Sequence, residues 1–360
     1  MIVNLRVNTR KKLALAQFLV FNYRLLLVRL QNFSADVKKG LVMIKVAFSL
    51  LVAAGLASSS AMAADMALKA APAAPPPSPW DIAITAALMS DYNFRGITQS
   101  AHRPSTQAGF EPRYNFTPTL QGYVGVSGES IDFPNRAAAE IDFYAGIRPT
   151  YGKLALDFGI WEYYYPGGQC FNTPAFCGFA TATPLPNGNV VKQNVSFYEG
   201  YGKATYTVND NFNFGGAIWG SPSVLNSGAD GIYYTGNVTL TAPGPWLPNG
   251  IGAYVSADVG WWQLGTSDAF YGVVGFPGGI PYKSYANWDA GLAFTWKAFT
   301  LDLRYYQSNL SKGDCNAFTS DHTATGVATT PINPGGPGSD WCGAAFIAKL
   351  SVATSINMIK

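Results

Sequence analysis

Residues 107–116 read QAGFEPRYNF; Phe110, Pro112, Tyr114 and Phe116 take one parity, and Gln107, Gly109, Glu111, Arg113 and Asn115 take the other. Successive side chains of a β-strand point to opposite faces. As a strand, this segment has one apolar face and one face carrying charges of both signs. The split returns in residues 139–148, AEIDFYAGIR, where Ile141, Phe143, Ala145 and Ile147 oppose Glu140, Asp142, Tyr144 and Arg148. It returns again in residues 284–296, where Trp288, Leu292, Phe294 and Trp296 oppose Asn287, Asp289 and Thr295, and in residues 301–306, where Leu301, Leu303 and Tyr305 oppose Asp302, Arg304 and Tyr306. A soluble sandwich also alternates, so the period alone does not say which face meets water.

Connection lengths do more. The period predicts about twelve strands, at 80–92, 106–117, 120–130, 138–150, 153–165, 193–208, 211–220, 231–242, 250–264, 283–297, 299–310 and 344–357. The links after the second, fourth, sixth and tenth are tight, whereas those after the first, fifth, ninth and eleventh are long. Alternating short and long turns are the mark of an up-and-down transmembrane barrel, trimmed at one end and looped at the other. The expected fold is therefore an all-β, antiparallel transmembrane barrel over residues 80–357. Composition agrees: 12% of the chain is charged and 14% aromatic, and 38 Gly with 23 Pro argue against a helical bundle. Aromatic residues near predicted strand ends (Trp80, Tyr92, Phe94, Tyr163, Tyr164, Tyr165, Trp219, Trp261, Trp262, Trp296) are expected at the membrane interfaces.

The N-terminus reads as an export label. Met43-Ile44-Lys45 opens an apolar run that ends in Ala61-Met62-Ala63, so residues 43–63 are expected to be a secretory signal peptide. Residues 1–42 read as a mis-called upstream extension or a basic n-region, and residues 64–79, rich in Ala and Pro, as a tether. Nine of the 24 Lys and Arg but one of the 21 Asp and Glu precede Ala64, which leaves 15 against 20 and a net charge near −5. Nucleic acid thereby loses its compositional support as a partner. Cys170, Cys177, Cys315 and Cys342 form an even, exported set, of which the local pairing, Cys170 with Cys177 and Cys315 with Cys342, closes the smallest loops. Both pairs fall in long loops at the same end of the barrel, the end expected outside the cell. No histidine lies beside either pair, so neither a metal nor another cofactor is expected.

The first strand carries Ile82, Ile84, Ala86 and Leu88 toward lipid and runs into DYNFRGITQS, residues 91–100. Tyr92 and Phe94 are expected near the outer interface, Arg95 toward the lumen, and Gly96 at the bend. Ser90-x-Tyr92-x-Phe94-Arg95-Gly96, then Ser100 and Pro104-x-x-Gln107-x-Gly109, is similar to the N-terminal signature of the TorF-type porins, a proteobacterial family long labelled Gcw_chp. Glu140–Gly146, Tyr164-Tyr165-Pro166-Gly167 and Ser196–Tyr201 continue the resemblance in order, over about residues 80–357. It implies an outer-membrane barrel of porin function, and brings no catalytic residues or established substrate with it.

The inward face is expected to present Glu111, Glu140, Asp142, Asp157, Glu199, Asp258, Asp289 and Asp302 against Arg113, Arg148, Lys203, Arg304 and Lys349. With a water-filled lumen, this mild acidic excess favours cations; in the other reading the charges pair across strands and fill the barrel. Arg95 and Gln99 either line a constriction or pin the first loop. The expected function is a porin-like channel in the outer membrane of a Gram-negative cell. Its partners are outer-membrane lipid, small solutes or ions, and the barrel-assembly machinery. A non-conducting structural or surface-interaction barrel is the alternative. A lipid-modifying enzyme would need serine and histidine, for which His102 beside Ser100 or Ser105 is the available set, without a recognisable acid or oxyanion motif; catalysis is not expected.

Overall fold

A computed structural model describes residues 78–179 and 181–359. The expected leader, and all of the tether except Ser78 and Pro79, lie outside the described residues. Twelve antiparallel strands close into a barrel: β1 (Trp80–Met89), β4 (Ser105–Thr117), β5 (Leu120–Glu129), β6 (Glu140–Tyr151), β7 (Leu154–Tyr164), β8 (Phe197–Asn209), β9 (Phe212–Ser221), β10 (Gly231–Thr241), β11 (Ile251–Leu264), β12 (Tyr285–Trp296), β13 (Phe299–Ser308) and β14 (Ala345–Ser355). Each pairs with its neighbours in sequence, and β1 closes the cylinder on β14 from Ala83 opposite Ser355 to Met89 opposite Lys349. All twelve expected strands are present. Inside the first loop lies a small hairpin that the period did not lead one to expect, β2 (Asn93–Phe94) with β3 (Ile97–Thr98).

Closure settles which face meets lipid. Leu88, Val124, Ile160 and Val259 stand 57–64% exposed on the outside of the cylinder, a surface far too apolar for water. Exposed aromatic side chains ring it at two levels. Tyr198 and Tyr206 on β8, and Trp288 and Trp296 on β12, are each eight positions apart. At ~3.4 Å per residue and ~40° of tilt, that is roughly 20 Å along the axis, close to the height of a membrane barrel's apolar band. The protein is a transmembrane β-barrel.

Six of the ten aromatic residues expected at the interfaces are elsewhere. Trp80, Tyr164, Trp261 and Trp296 are exposed on the outer wall, but Tyr163, Tyr165 and Trp262 are buried inside, and Tyr92, Phe94 and Trp219 also pack inward. Parity explains it: Tyr163 and Tyr164 occupy opposite faces by necessity. Some inward rings lie flat over cross-strand glycines. Tyr123 faces Gly146, and Tyr201 faces Gly159, where an added Cβ would stand 2.7 Å from the Tyr201 hydroxyl.

The loops gather at one end. Loops L1 (residues 90–104), L2 (130–139), L3 (165–196), L4 (222–230), L5 (265–284) and L6 (309–344) pack into two apolar clusters, one around Trp262, Tyr285, Phe318 and Trp341, the other around Phe133, Tyr165, Phe171 and Phe197. Cys170 is bonded to Cys177 in L3, across helix α1 (Pro174–Cys177), and Cys315 to Cys342 in L6. Cys315 belongs to helix α2 (Lys312–Thr319), whose N-cap Ser311 accepts from the Asp314 amide. At the turn end, helix α3 (Ile356–Ile359) holds β1, with the Asn357 amide donating to Asp81 and its side chain to the Trp80 carbonyl.

Candidate functional site in the barrel lumen

DYNFRGITQS does not climb away from the membrane; it turns into the barrel. Asp91 organises the bend, accepting from the hydroxyls of Thr98 and, at 3.0 Å, Ser100. Arg95 and Gly96 take positive φ, 52° and 81°. Glycine is required at 96 because a Cβ there would stand 2.8 Å from that of Asn287 and 3.0 Å from that of Ser308 on the far wall. Arg95 does turn to the lumen, as expected, and it crosses to β8. Its guanidinium donates two hydrogen bonds to the Glu199 carboxylate, at 2.9 and 2.6 Å, while Tyr163 donates to the same carboxylate at 3.1 Å. The rings of Tyr233, Trp262 and Phe94 surround the cation at 4.2, 4.4 and 4.6 Å, and Tyr285 donates to the Arg95 carbonyl. Both members of the pair are buried, at 5% and 0%. Desolvating two charges is offset here by bidentate geometry, a third donor and cation–π contacts. The hairpin is thus an ion-paired plug in the loop-end half of the lumen.

Every other charged side chain expected on the inward face is there. Nearer the turn end, Arg148 donates to Glu111 at 2.7 and 3.1 Å and to Asp157 at 3.4 Å, Arg113 pairs with Glu111, and Lys203 lies over the rings of Tyr201 and Trp219. On the opposite wall Arg304 joins Asp289, Asp302 and Ser256, while Asp258 accepts from Thr235. Lys349 donates to Gln107 at 3.0 Å. Glu140 and Asp142 are buried near the hairpin. Gln99 sits apart from the charged lumen, in the loop cap, with its side chain on the Ile97 carbonyl. Among the described residues, two polar cavities lie beside these groups. One, of about 330 Å³, runs beside the hairpin along β13 and β14 past Asn93, Gln107, Lys349, Arg304, Asp302 and Tyr254. The other, of about 400 Å³, lies at the turn end between Gln121, Arg148, Asp157 and Lys203.

The serine and histidine weighed for catalysis are otherwise engaged. Ser100 donates to Asp91 and the Arg103 carbonyl, and Ser105 to the Ser130 carbonyl. His102 meets the Asp91 carboxylate through Nδ1 at 2.8 Å and the Asp340 carbonyl through Nε2 at 3.1 Å. Both partners accept, so only the imidazolium, with two N–H groups, satisfies both. The hydrogen bond to Asp91 holds the His102 pKa above its usual value, opposed by partial burial and aided by the Asp340 carbonyl. This tether between L1 and L6 is therefore complete below about pH 6.5 and is lost as pH rises through the raised value. Proteolytic nicking of the loops in the folded barrel should accelerate from pH 5.5 to 8.5, and His102→Gln should flatten that dependence. A variant that keeps the wild-type profile would remove His102 as the cause.

A closed twelve-stranded transmembrane barrel, polar within and plugged by its first loop, is the class that these features define. The chain belongs to the family described as "Bacterial protein of unknown function (Gcw_chp)", whose pattern matches residues 73–330. No curated protein matches. Among solved structures, the NanC porin is similar at 8% identity, over 76% of this chain and 97% of that one, with a TM-score of 0.35. An outer-membrane channel from Pseudomonas putida F1 is similar at 10% identity, 78% and 96% coverage and a TM-score of 0.36. LpxR from Salmonella typhimurium stands at 10% identity, 75% and 99% coverage and a TM-score of 0.38.

Proposed function

We propose that the chain is a narrow, porin-like channel of the bacterial outer membrane, for passive diffusion of small solutes or ions, with its loop end outside the cell. The observation that carries this reading is the polar cavity beside the hairpin. A barrel meant only as a wall has no need of a charged cavity alongside its plug, and Asp302, Arg304 and Lys349, neighbours on β13 and β14, line this one together with Gln107 and supply charges of both signs to a path past the plug. The resemblance to TorF-type porins supports the same reading. The buried Arg95–Glu199 pair favours a second one, a barrel that stays shut and serves as structure or as a surface for interaction. Among the described residues, neither Ser100 nor Ser105 is hydrogen-bonded to the His102 ring, so a lipid-modifying activity has no assembled serine–histidine pair behind it there.

Planar-bilayer recording of the refolded mature chain distinguishes them. Wild type is expected to give small, discrete conductance steps. Lys349→Glu should move the reversal potential in a salt gradient toward cations, by roughly a twofold change in permeability ratio. Silence from correctly inserted wild-type protein and from variants lacking the plug contacts would leave the structural reading standing.

A further inference from the structure

Glu129 ends β5 directly opposite Glu140, the first residue of β6, and Asp142 follows two positions later on the same inward face. Like charges placed opposite one another across a ladder repel, yet these three carboxylates share one buried site. Glu129, Glu140 and Asp142 are 2%, 2% and 4% exposed, and one carboxylate oxygen from each lies within 4.8 Å of the others.

Their hydrogen bonds do not use up their acceptors. Gln107 donates to Glu129 Oε1 at 2.8 Å, Ser127 to Asp142 Oδ2 at 3.2 Å, and Tyr92 and Tyr165 to the two oxygens of Glu140 at 2.6 and 2.8 Å. Glu129 Oε2 and Asp142 Oδ1 are left buried with no partner among the described residues. Nor is a cationic side chain bonded to the triad. Glu111, Asp157, Glu199, Asp289 and Asp302 each pair with an arginine. Lys349 donates to Gln107, which in turn donates to Glu129, but among the described residues it forms no hydrogen bond or ion pair with the triad itself. Two orphaned, desolvated oxygens in an all-oxygen set of three acids are what a hard cation satisfies and what a protein lacking one tolerates poorly.

We propose that Glu129, Glu140 and Asp142 bind a divalent cation of the calcium class. Oxygens up to 4.8 Å apart can be bridged by an ion held at about 2.3–2.6 Å from each, whereas magnesium, at about 2.0–2.1 Å, requires the site to contract. Two positive charges against three ionised carboxylates leave one negative charge, and the Lys349 ammonium lies one amide away, through Gln107. Because Glu140 also holds Tyr92 of L1 and Tyr165 of L3, the ion fastens two loops of the cap to the β5–β6 ladder. The site does not depend on whether the barrel conducts.

The test uses the full mature chain, refolded in detergent without lipopolysaccharide and stripped with a chelator. Calcium is titrated calorimetrically, and terbium is followed by luminescence under tyrosine excitation, since Tyr92 and Tyr165 touch the site. One equivalent is expected to bind, with magnesium competing weakly. Glu129→Gln and Asp142→Asn should each raise the calcium Kd by about tenfold or more, while Asp210→Asn, in an exposed turn, should leave it unchanged. Glu129→Asp, which keeps the charge, serves if the neutral variants do not fold, and its shorter reach should still weaken binding. Absence of saturable binding to folded wild type, or equal affinities in the triad variants and Asp210→Asn, would overturn the site.

Discussion

Glu199→Ala is expected to destabilise the barrel by about 3–5 kcal/mol, because it leaves the Arg95 guanidinium buried at 5% exposure with no counter-charge. The ring cage of Phe94, Tyr233 and Trp262 offers that cation some compensation, but rings do not replace two short hydrogen bonds to a carboxylate. The hairpin's least disruptive response is to leave the lumen. Glu199→Ala should therefore show both a lower urea midpoint and larger conductance steps than wild type. Arg95→Ala strands Glu199, which is fully buried with Tyr163 as its remaining donor, and should behave alike. The double variant should be less destabilised than the sum of the two, since removing both charges leaves neither one uncompensated. Additive losses in the double-mutant cycle, or wild-type conductance in all three variants, would show that the pair does not hold the plug.

The second large effect concerns the disulfides, which ought to be unequal. Cys315–Cys342 spans 27 positions and Cys170–Cys177 spans seven, so the loop-closure relation assigns about 3.5 kcal/mol to the first and about 2.4 kcal/mol to the second. Packing widens the gap. Cys315 and Cys342 are buried in the same cluster as Trp262, Phe318 and Trp341, whereas helix α1 beside Cys177 buries none of its residues. Replacing Cys315 and Cys342 by serine should expose L6 to protease, and through Trp341 it should loosen L1, whose Thr98 amide donates to the Trp341 carbonyl. The corresponding Cys170 and Cys177 replacement should be confined to L3. Equal protease sensitivity in the two variants would contradict this ranking.

The wall of the barrel was legible residue by residue. In QAGFEPRYNF the parity of Phe110 and Glu111 sorts the side chains onto two faces, because a strand's faces are a local property of the backbone, and the alternation of short and long links, by pointing to a barrel, says which face turns inward. Glu140 and Asp142, Asp157, Lys203 and Arg304 were placed inward on those two grounds together. The aromatic residues were read less well: Tyr163, Tyr165, Trp219 and Trp262 share the strand-end positions of Tyr164 and Trp261, and position along a strand carries no information about its face unless parity is applied as well. Glu129 was missed as a member of the lumenal set. It ends β5 on the same parity as Ser127, and pairing β5 with β6 across the next loop would have set it opposite Glu140.

Local chemistry decided the strand count, the alternation of turns and loops, the apolar exterior and the two loop disulfides, since each depends on residues near one another in the chain. Tertiary structure alone decided what fills the cylinder. Arg95 meets Glu199 across 104 positions, and Lys349 meets Gln107 across 242. Such partners are chosen only when the sheet closes and the first loop falls inward, because charges at that sequence separation have no interaction until folding sets the distance between them.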